Sequence, residues 1–452
     1  MIAPNLESLR CCLEGIVPAI LATCDGAGRP NVSMISQVHY VEHDQVALSY
    51  QFFNKTRRNL LETRVASVMV TDPVTVAQYR LELDYIETQD TGPLFETMKA
   101  KLAGIASHAG MQDVFRLRGA DVFRVRSLTS VPGASSTTSV QNRNLLSGVR
   151  RIVADMSRAS SLGDLFDATL AGLRRHLEID HAMLLLSDDT STDLFTVASA
   201  GYVRSGIGSE IPLGQGVIGV AAREGVPIRI GNMTLDYSFG VALRTSAERN
   251  QLGGAELPEI PYPGLGTPES QIAVPVLKDR RLLGVIFAES MEPLRFRYDD
   301  EDALVLIADR LGEDIRRLRE RGIDMDTSDL AAATVCHRAI AVRHYARDDS
   351  VFLDNDYLIK GVAGAIFWKI VREHVHTGRT EFTNRELRLD PGLRLPTHAE
   401  NLEARLVLLQ RRLSERGLGI AIERIARGQF RLITPVPIEL VENAPELQGM
   451  PA

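Results

Sequence analysis

The sequence SQIAVPVLKDRRLLGVIFAES, residues 270–290, has the clearest strand pattern in the middle of the chain. Its two apolar runs, IAVPV and LLGVIFAES, are separated by a charged turn and are typical of two neighbouring buried strands. The charged sequence RYDDEDALVLIADRL, residues 297–311, follows and predicts a helix. Strand, turn, strand and helix together predict an α/β unit.

On the N-terminal side, the chain adds the segments AMLLLSDD, LFTVASAG and PLGQGVIGVAAREGVPIRI. The whole succession, residues 144–320, resembles a GAF domain. That resemblance implies an α/β fold and a role in signal relay or dimerisation, while no cysteine and no cyclic-nucleotide signature in this region identifies a ligand. The Gly- and Pro-rich stretch 232–269 fits either a lid or a disordered insertion, with Tyr237, Phe239 and Tyr262 available to line a pocket.

Two helices with similar apolar seams bracket this region. The seam residues are Leu145, Val149, Ile152 and Met156 in the first helix, and Leu304, Ala308, Leu311, Ile315 and Leu318 in the second. Spacings of three and four residues fit either a helix that covers a sheet or a dimer stalk. The second helix continues as EDIRRLRERG, which favours the stalk. We therefore predict a homodimer through Leu145–Met156 and Leu304–Leu318.

The length of the chain, 452 residues, exceeds one compact core and suggests about three domains. The Pro-, Gly-, Ser- and Thr-rich run from 131 to 143 and the sequence RGIDMDTSDL, residues 321–330, are typical of linkers. The predicted units are a first domain 1–131, a linker 132–143, a second domain 144–320, a linker with helix 321–349, a third domain 350–436 and a tail 437–452.

Composition excludes several classes of protein. With 44% hydrophobic residues, 24% charged residues and a net charge of −7, the chain is not a generally basic nucleic-acid coat. No stretch approaches the roughly 18 apolar residues of a membrane span, and the N-terminus lacks the features of a signal peptide, so a cytoplasmic location is expected. Cys11, Cys12, Cys24 and Cys336 lack metal-ligand spacing, so neither a zinc site nor a disulfide scaffold is predicted.

The net charge is unevenly distributed. Between residues 357 and 435 there are fourteen Lys and Arg against eight Asp and Glu, a net charge of +6. The rest of the chain therefore carries −13. A basic end on an acidic protein indicates a negatively charged partner for that end.

The first domain reads as antiparallel β structure. IVPAILATC ends in the turn DGAGRP, and NVSMISQVHYV and QVALSYQFF flank the polar tip EHD. The next segment, NKTRRNL, places Thr56 with Lys55, Arg57 and Arg58 at a helix start, which would suit a phosphate monoester. A solvated basic helix start is the alternative.

The order of these segments, from about Ile16 to Val125, resembles the pyridoxamine 5'-phosphate oxidase-like FMN-binding split barrels. The resemblance implies FMN as cofactor, with its phosphate held by Lys55, Thr56, Arg57 and Arg58. It also places the remaining cofactor-binding residues on three strands, namely Ser36, Gln37, His39, Ser49, Tyr50 and Gln78.

The chain departs from the family's oxidases, which commonly have an arginine where this sequence offers Ser33 or Met34. Their C-terminal dimerising segment is also not recognisable here, so oxidation of pyridoxamine phosphate is not predicted. Haem, with His39, His43 or His108 as ligands, and an empty barrel are the alternatives to FMN.

The third domain has the order helix, short helix, basic helix, hairpin. VAGAIFWKIVREHVHTG is the first helix, and a capping box of Thr383 and Glu386 begins the second. In the basic helix we predict a buried stripe of Leu402, Leu406, Leu409 and Leu413, with the arginines outward. IAIERI and QFRLI then form a hairpin about Gly428.

This order, residues 351–433, resembles the winged-helix DNA-binding domains of response-regulator type transcription factors. The resemblance implies that Asn401, Arg405 and Arg412 contact or approach bases, and that Arg394, Arg411, Arg416, Arg424 and Arg427 contact phosphates. A protein-interaction winged helix with a solvated basic face is the alternative.

The sequence therefore predicts a multidomain protein with a β split barrel (all-β with peripheral helices), an α/β GAF domain and a winged helix-turn-helix. The predicted function is a dimeric one-component transcriptional regulator that senses redox state, oxygen or a small molecule and binds a double-stranded DNA operator. No catalytic residue is predicted. The alternatives are a flavin-dependent oxidoreductase with regulatory C-terminal domains, and a sensor of a phosphate-bearing vitamer or of haem.

Overall fold

A computed structural model describes most of the chain. The described residues are 5–13, 17–35, 38–50, 54–108, 117–133, 143–187, 193–231, 262–321, 339–346, 349–354, 356–390, 393, 402–426 and 428–443.

The first unit is a barrel-like sheet of seven strands with a short helix at its start and two more helices around it. The strands are β1 Ala19–Cys24, β2 Pro30–Ile35, β3 Val38–Glu42, β4 Gln45–Tyr50, β5 Val65–Thr71, β6 Gln78–Gln89 and β7 Gly119–Val131, and the helices are α1 Arg10–Leu13, α2 Asn54–Thr63 and α3 Pro93–His108. The sheet order is β2-β1-β5-β6-β7-β4-β3. Strands β2 and β3 are consecutive in the chain but lie at opposite edges, so the chain closes the sheet around an apolar core that includes Val68, Leu81 and Phe123.

The second unit is a six-stranded antiparallel sheet with helices on it. The strands are β8 His181–Ser187, β9 Asp193–Ala200, β10 Glu210–Pro212, β11 Ile228–Ile230, β12 Ser270–Lys278 and β13 Arg281–Ser290, in the order β10-β9-β8-β13-β12-β11. The helices are α4 Leu145–Met156, α5 Leu162–Leu177, α6 Gly216–Glu224 and α7 Tyr298–Arg321. The hairpin of β12 and β13 turns at Asp279 and Arg280, which both have positive φ, as a two-residue type I′ turn requires.

The apolar seams of α4 and α7 are buried inside this chain. Ile152 and Met156 of α4, and Leu311 and Ile315 of α7, belong to one continuous core with the sheet. The two helices therefore cover the sheet, which is the alternative that the spacing left open, because the same apolar stripe cannot also face a second chain. Dimerisation itself stays a prediction.

Within the described residues, the third unit has two small sheets and three helices. The strands are β14 Ile340–Tyr345, β15 Ser350–Leu353, β16 Asp356–Ile359, β17 Glu381–Thr383, β18 Ala421–Ala426, β19 Gln429–Ile433 and β20 Ile438–Asn443, and the helices are α8 Gly361–Thr377, α9 Asn384–Leu389 and α10 Leu402–Arg416. The sheet orders are β16-β15-β14-β20 and β17-β19-β18. The predicted capping box is confirmed, since Thr383 and Glu386 bond reciprocally at the start of α9. The predicted hairpin is confirmed as β18 and β19.

Two strands lie outside the bounds 350–436 that we predicted for the third domain. Strand β14 lies within 321–349, which we expected to be a linker with a helix, and β20 lies within the expected tail 437–452. The two strands pair in parallel, Ile340 beside Ile438, and close the four-stranded sheet. Their pairing joins segments about a hundred residues apart, so no local pattern marks either one as part of the third domain.

No helix within the described residues is long and apolar enough to cross a membrane.

Candidate functional site

The first turn of α2 carries the residues that we predicted to grip a phosphate, and two of them point into the barrel. Thr56 is buried, and its hydroxyl oxygen Oγ1 accepts a hydrogen bond of 2.9 Å from the Asn31 amide. Arg57 donates to the Asp121 carboxylate at 2.7 Å and to the Thr88 hydroxyl at 3.2 Å. Thr88 also donates to Asp121. These groups thus form an internal polar network.

The space beside this network is small. The cavity holds about 10 Å³, which is room for about one water molecule. It is lined by Leu21, Ile35, Leu48, Ser49, Thr56, Arg57, Leu60 and Asp121. Within the described residues, this cavity is therefore too small for a phosphate group while Arg57 stays paired with Asp121.

Lys55 and Arg58 lie on the other side of the same turn. Both are exposed, because residues three apart on a helix share a face and the intervening Thr56 and Arg57 take the inward side. An anion that approached the start of α2 from solvent would meet Lys55 and Arg58 first. The helix thus divides the predicted phosphate-binding residues into an inner pair, Thr56 and Arg57, and an outer pair, Lys55 and Arg58.

The remaining predicted cofactor residues are spread over the sheet. His39 lies on β3, Ser49 and Tyr50 lie on β4, and Gln78 begins β6. Ser49 is the one of these that lines the cavity beside Thr56. Ser36 and Gln37 lie outside the described residues, and of Tyr50 only the backbone is described.

His39 faces the second unit. Burial lowers the pKa of His39 to about 4, and the nearby ammonium group of Lys101 adds to the shift. The Glu301 carboxylate, at the start of α7, acts in the opposite direction. Of the histidines considered for haem, His43 is exposed and the side chain of His108 lies outside the described residues.

Charged and aromatic side chains connect the barrel to α7. The guanidinium carbon of Arg10, in α1, lies 4.1 Å from the ring centroid of Tyr298, and that of Arg229 lies 4.5 Å from the same ring. Arg229 also donates to Glu301 at 2.9 Å. Lys101, from the barrel helix α3, lies 3.9 Å from Glu301. The start of α7 is therefore held from both units at once.

A buried carboxylate lies on β13. Glu289 accepts hydrogen bonds from the backbone N–H of Leu265 at 2.7 Å and from the Gln271 amide at 3.0 Å. Burial raises the pKa of Glu289, and burial with this charge nearby raises the pKa of Tyr202. The Tyr202 ring lies edge-on to His181 at 5.5 Å.

Sequence reasoning did not single out Glu289. The signal was present, because Glu289 ends the otherwise apolar strand LLGVIFAES, and a carboxylate in a buried strand needs partners. Tyr262, which we proposed for a pocket wall, lies edge-on to Phe287 with ring centroids 6.3 Å apart. Tyr237 and Phe239 lie outside the described residues.

Helix α10 packs against the second unit through its arginines. The guanidinium carbon of Arg405 lies 3.8 Å from the ring centroid of Phe195 on β9. Arg411 donates to the carbonyl oxygens of Val197 and Gly163 at 3.0 and 3.1 Å, and to the Asp167 carboxylate at 2.8 Å. Both arginines, which we predicted to contact DNA, thus contact the α5 and β9 region in this structure.

Two further arginines of α10 are held within their own unit. Arg412 donates to the carbonyl oxygen of Leu358 at 3.1 Å and to Glu415 at 2.7 Å. Burial lowers the pKa of Arg412. Arg416 donates to the Tyr357 carbonyl and lies 3.6 Å from the Asp356 carboxylate.

The predicted outward position of Arg405 and Arg412 is therefore wrong. Both are buried together with Leu402, Leu409 and Leu413, because α10 is covered on one side by its own domain and on another by the second unit. The exposed positions within α10 are Gln410, Ser414 and Glu415. No arginine of this helix is fully exposed.

Of the other predicted DNA contacts, the structure describes Arg424. Arg424 on β18 is partly exposed and lies 3.8 Å from Glu403. Arg394, Asn401 and Arg427 lie outside the described residues.

Comparison with known proteins finds similarity to the middle unit and to the first unit. A family model described as GAF domain matches residues 161–315. The GAF domain of an Acinetobacter phosphoenolpyruvate-protein phosphotransferase is 21% identical, with 41% of this chain and 100% of that chain covered and a TM-score of 0.31. Free methionine-R-sulfoxide reductase from Neisseria meningitidis is 20% identical, with 39% and 90% covered and a TM-score of 0.29.

An FMN-binding protein from Syntrophomonas wolfei subsp. wolfei is also similar, at 23% identity, with 28% of this chain and 86% of that chain covered and a TM-score of 0.25. No curated protein matches the chain. The family match confirms the prediction for the middle of the chain: residues 161–315 are a GAF domain.

Proposed function

We propose that this protein is a one-component transcriptional regulator, in which the barrel and the GAF domain sense a signal and the C-terminal unit binds double-stranded DNA. The observation that carries the proposal is the position of α10. This helix has four arginines in fifteen residues, and two of them bind the GAF domain directly. The sensing part and the basic part are therefore in physical contact.

The partners that Arg405 and Arg411 have in this structure resemble those that DNA offers. Arg411 binds a carboxylate and two carbonyl oxygens, and a phosphate group presents the same kind of oxygen acceptor to a guanidinium group. The net charge of +6 between residues 357 and 435 favours a polyanionic partner. The order of α8, α9, α10 and the hairpin supports a winged helix, whose last helix enters the major groove.

Regulation follows from the competition between these two sets of partners. While α10 contacts Phe195 and Asp167, Arg405 and Arg411 are unable to reach a duplex. A signal that weakens the contact, through α5 or β9, would raise the fraction of molecules whose α10 is free. The side chains around Tyr298 give the barrel a second route to the GAF domain.

FMN is the ligand that we propose for the barrel. Lys55, Arg58 and the start of α2 are open to solvent and fit a phosphate group. Thr56 and Arg57 would join them only if Arg57 left Asp121. When bound, FMN would supply a redox-active ring, and the strand with His39 would transmit its state toward Glu301.

The test of DNA binding is fluorescence anisotropy with a labelled duplex from the region upstream of the protein's own gene. The full chain should bind with an affinity that falls steeply with salt. Arg424→Ala, at the hairpin, should lower affinity and reduce the salt slope by about 1. Arg174→Ala on α5, which removes an exposed arginine of the GAF domain, is the control and should change neither.

Two outcomes would overturn the proposal. If neither the wild type nor the Asp167→Asn variant, which lacks one acceptor of Arg411, binds any duplex at low salt, the C-terminal unit is an interaction module. If the purified protein steadily turns over NAD(P)H with FMN, the oxidoreductase alternative replaces the regulator.

A further inference from the structure

Two thiols and a carboxylate meet at the base of the barrel, away from α2. The Sγ atoms of Cys11 and Cys12 lie 3.9 Å apart. The Asp72 oxygen Oδ2 lies 3.7 Å from the first sulfur and 4.0 Å from the second. Each of the three side chains offers one donor atom, and all three atoms lie within 4.8 Å of one another.

We propose that Cys11, Cys12 and Asp72 bind a thiophilic divalent cation of the zinc class. Tetrahedral zinc has bonds of about 2.3 Å to sulfur and about 2.1 Å to a carboxylate oxygen. Two donors of such a site lie about 3.6 to 3.8 Å apart, which follows from those bond lengths and the tetrahedral angle. The three measured separations differ from these values by a few tenths of an ångström.

The carboxylate is held in place for this role. Asp72 follows β5 directly, and its other oxygen, Oδ1, accepts hydrogen bonds of 2.8 Å from the backbone N–H groups of both Val74 and Thr75. The backbone of Asp72 is fixed by a bond of 2.8 Å from its own N–H to the Ala77 carbonyl. Oδ2 is thereby directed at the two thiols, as a hydrogen-bonded carboxylate ligand usually is in metal sites.

The surroundings suit a site that a cation can enter. Cys12 is buried and Cys11 is partly exposed, so the sulfurs span the boundary between core and solvent. Asp72 forms no ion pair with any cationic side chain of the described residues. Three protein donors leave a fourth position for water, the arrangement of open zinc sites.

The sequence did not predict this site. An adjacent pair of cysteines lacks the two-residue spacing of zinc motifs, and the third donor comes sixty residues later. Only the packing of α1 beside the end of β5 brings the three donors together.

Cobalt is the probe for the test, because Co²⁺ occupies zinc sites and its thiolate complexes absorb strongly in the near ultraviolet. The full-length protein, freed of metal by a chelator, should bind one Co²⁺ with that absorption, and Zn²⁺ should displace it. Cys11→Ser and Asp72→Asn should each weaken Co²⁺ binding at least tenfold. Loss of a group that only hydrogen-bonds to a metal ligand typically lowers metal affinity by about that much, and loss of a ligand should lower it further. Cys24→Ser, which removes another barrel thiol, is the matched control.

A second measurement does not depend on colour. Zn²⁺ should slow the alkylation of Cys11 by iodoacetamide, followed by mass spectrometry of the N-terminal peptide, and should leave the rate at Cys24 unchanged. Cobalt binding that survives the Cys11→Ser, Cys12→Ser double variant, or alkylation of Cys11 that Zn²⁺ does not slow, would overturn the proposal. Both readouts are independent of DNA binding.

Discussion

The guanidinium carbon of Arg405 lies 3.8 Å from the centroid of the Phe195 ring, so a basic residue of α10 is stacked on an aromatic residue of the GAF domain. A cation over an aromatic face is stabilised by about 0.5 to 2 kcal/mol, more when it is desolvated. Arg405 is buried. The contact is therefore favourable, and in the proposed regulator DNA would have to replace it.

Weakening this contact should increase DNA binding. In the double variant Phe195→Leu, Asp167→Asn, Arg405 loses its aromatic partner and Arg411 loses its carboxylate partner. We expect the affinity of the full chain for duplex DNA to rise about tenfold, which corresponds to about 1.4 kcal/mol. Anisotropy titrations of variant and wild type on the same duplex measure the change.

The control for this prediction is Asp180→Asn. Asp180 is an exposed carboxylate of the GAF domain. It lies 3.7 Å from Arg174, which is not a residue of α10. It should leave the affinity unchanged. An equal or lower affinity in the double variant, with the fold intact by circular dichroism, would contradict competition between DNA and the GAF domain.

The outer pair of the α2 turn should control FMN affinity without affecting the fold. Lys55→Ala, Arg58→Ala removes two exposed cations, and we expect FMN to bind at least tenfold more weakly because each charge-assisted bond contributes about 1.5 to 3 kcal/mol. Quenching of FMN fluorescence on titration gives the affinity. Arg126→Ala should have no effect, because Arg126 lies 3.4 Å from Asp84 and does not line the cavity beside Thr56. Colourless protein that never takes up added FMN would refute the cofactor.

The barrel should lose stability as the pH falls, because of His39. Its pKa is about 4 in the folded protein against an ordinary value of 6.5, so the unfolded chain binds a proton in this range that the folded protein does not. This contribution to the free energy of unfolding is complete above pH 6.5 and is lost progressively as the pH falls toward 4.

Urea unfolding between pH 7.5 and 4.5 measures this effect. His39→Gln should flatten the dependence of the unfolding free energy on pH, and His43→Gln, at an exposed position, should leave it as in the wild type. A pH dependence that is identical in His39→Gln and wild type would show that His39 titrates normally.

The seam of α7 should support the fold rather than a dimer contact. Ile315 is fully buried in the core of this chain, so Ile315→Ala should lower the free energy of unfolding by about 2 to 5 kcal/mol. Leu306 on the same helix is 51% exposed, so Leu306→Ala should lower the free energy of unfolding far less. If Ile315→Ala halves the mass measured by light scattering and leaves the stability to urea unchanged, the seam forms a dimer stalk instead.

Local patterns in the sequence were enough to predict several parts of the structure. The hairpin of residues 270–290 and the helix after it identify the GAF domain, because strand and helix periodicities are visible in a single segment. The capping box of Thr383 and Glu386 is equally local, since its two hydrogen bonds join residues three apart. The same holds for the β18–β19 hairpin.

Relationships between distant segments were not visible in the sequence. Strand β20 belongs to the third unit through its pairing with β14 and its packing on that unit's core. The guanidinium group of Arg57 donates a hydrogen bond to Asp121, which is sixty-four residues away in the chain. Asp72 and Cys11 are likewise distant in the chain and lie side by side only in the folded protein.

The basic residues, the apolar residues and their helical spacing are all visible in the amino-acid sequence, and they were enough to predict the GAF domain and the positive charge at one end. That the arginines of α10 are covered follows from how the units pack together. A helix shows its amphipathic pattern within a few turns, whereas burial of Arg405 depends on Phe195, two hundred and ten residues earlier. Periodicity describes one element, and burial is a property of two surfaces that meet.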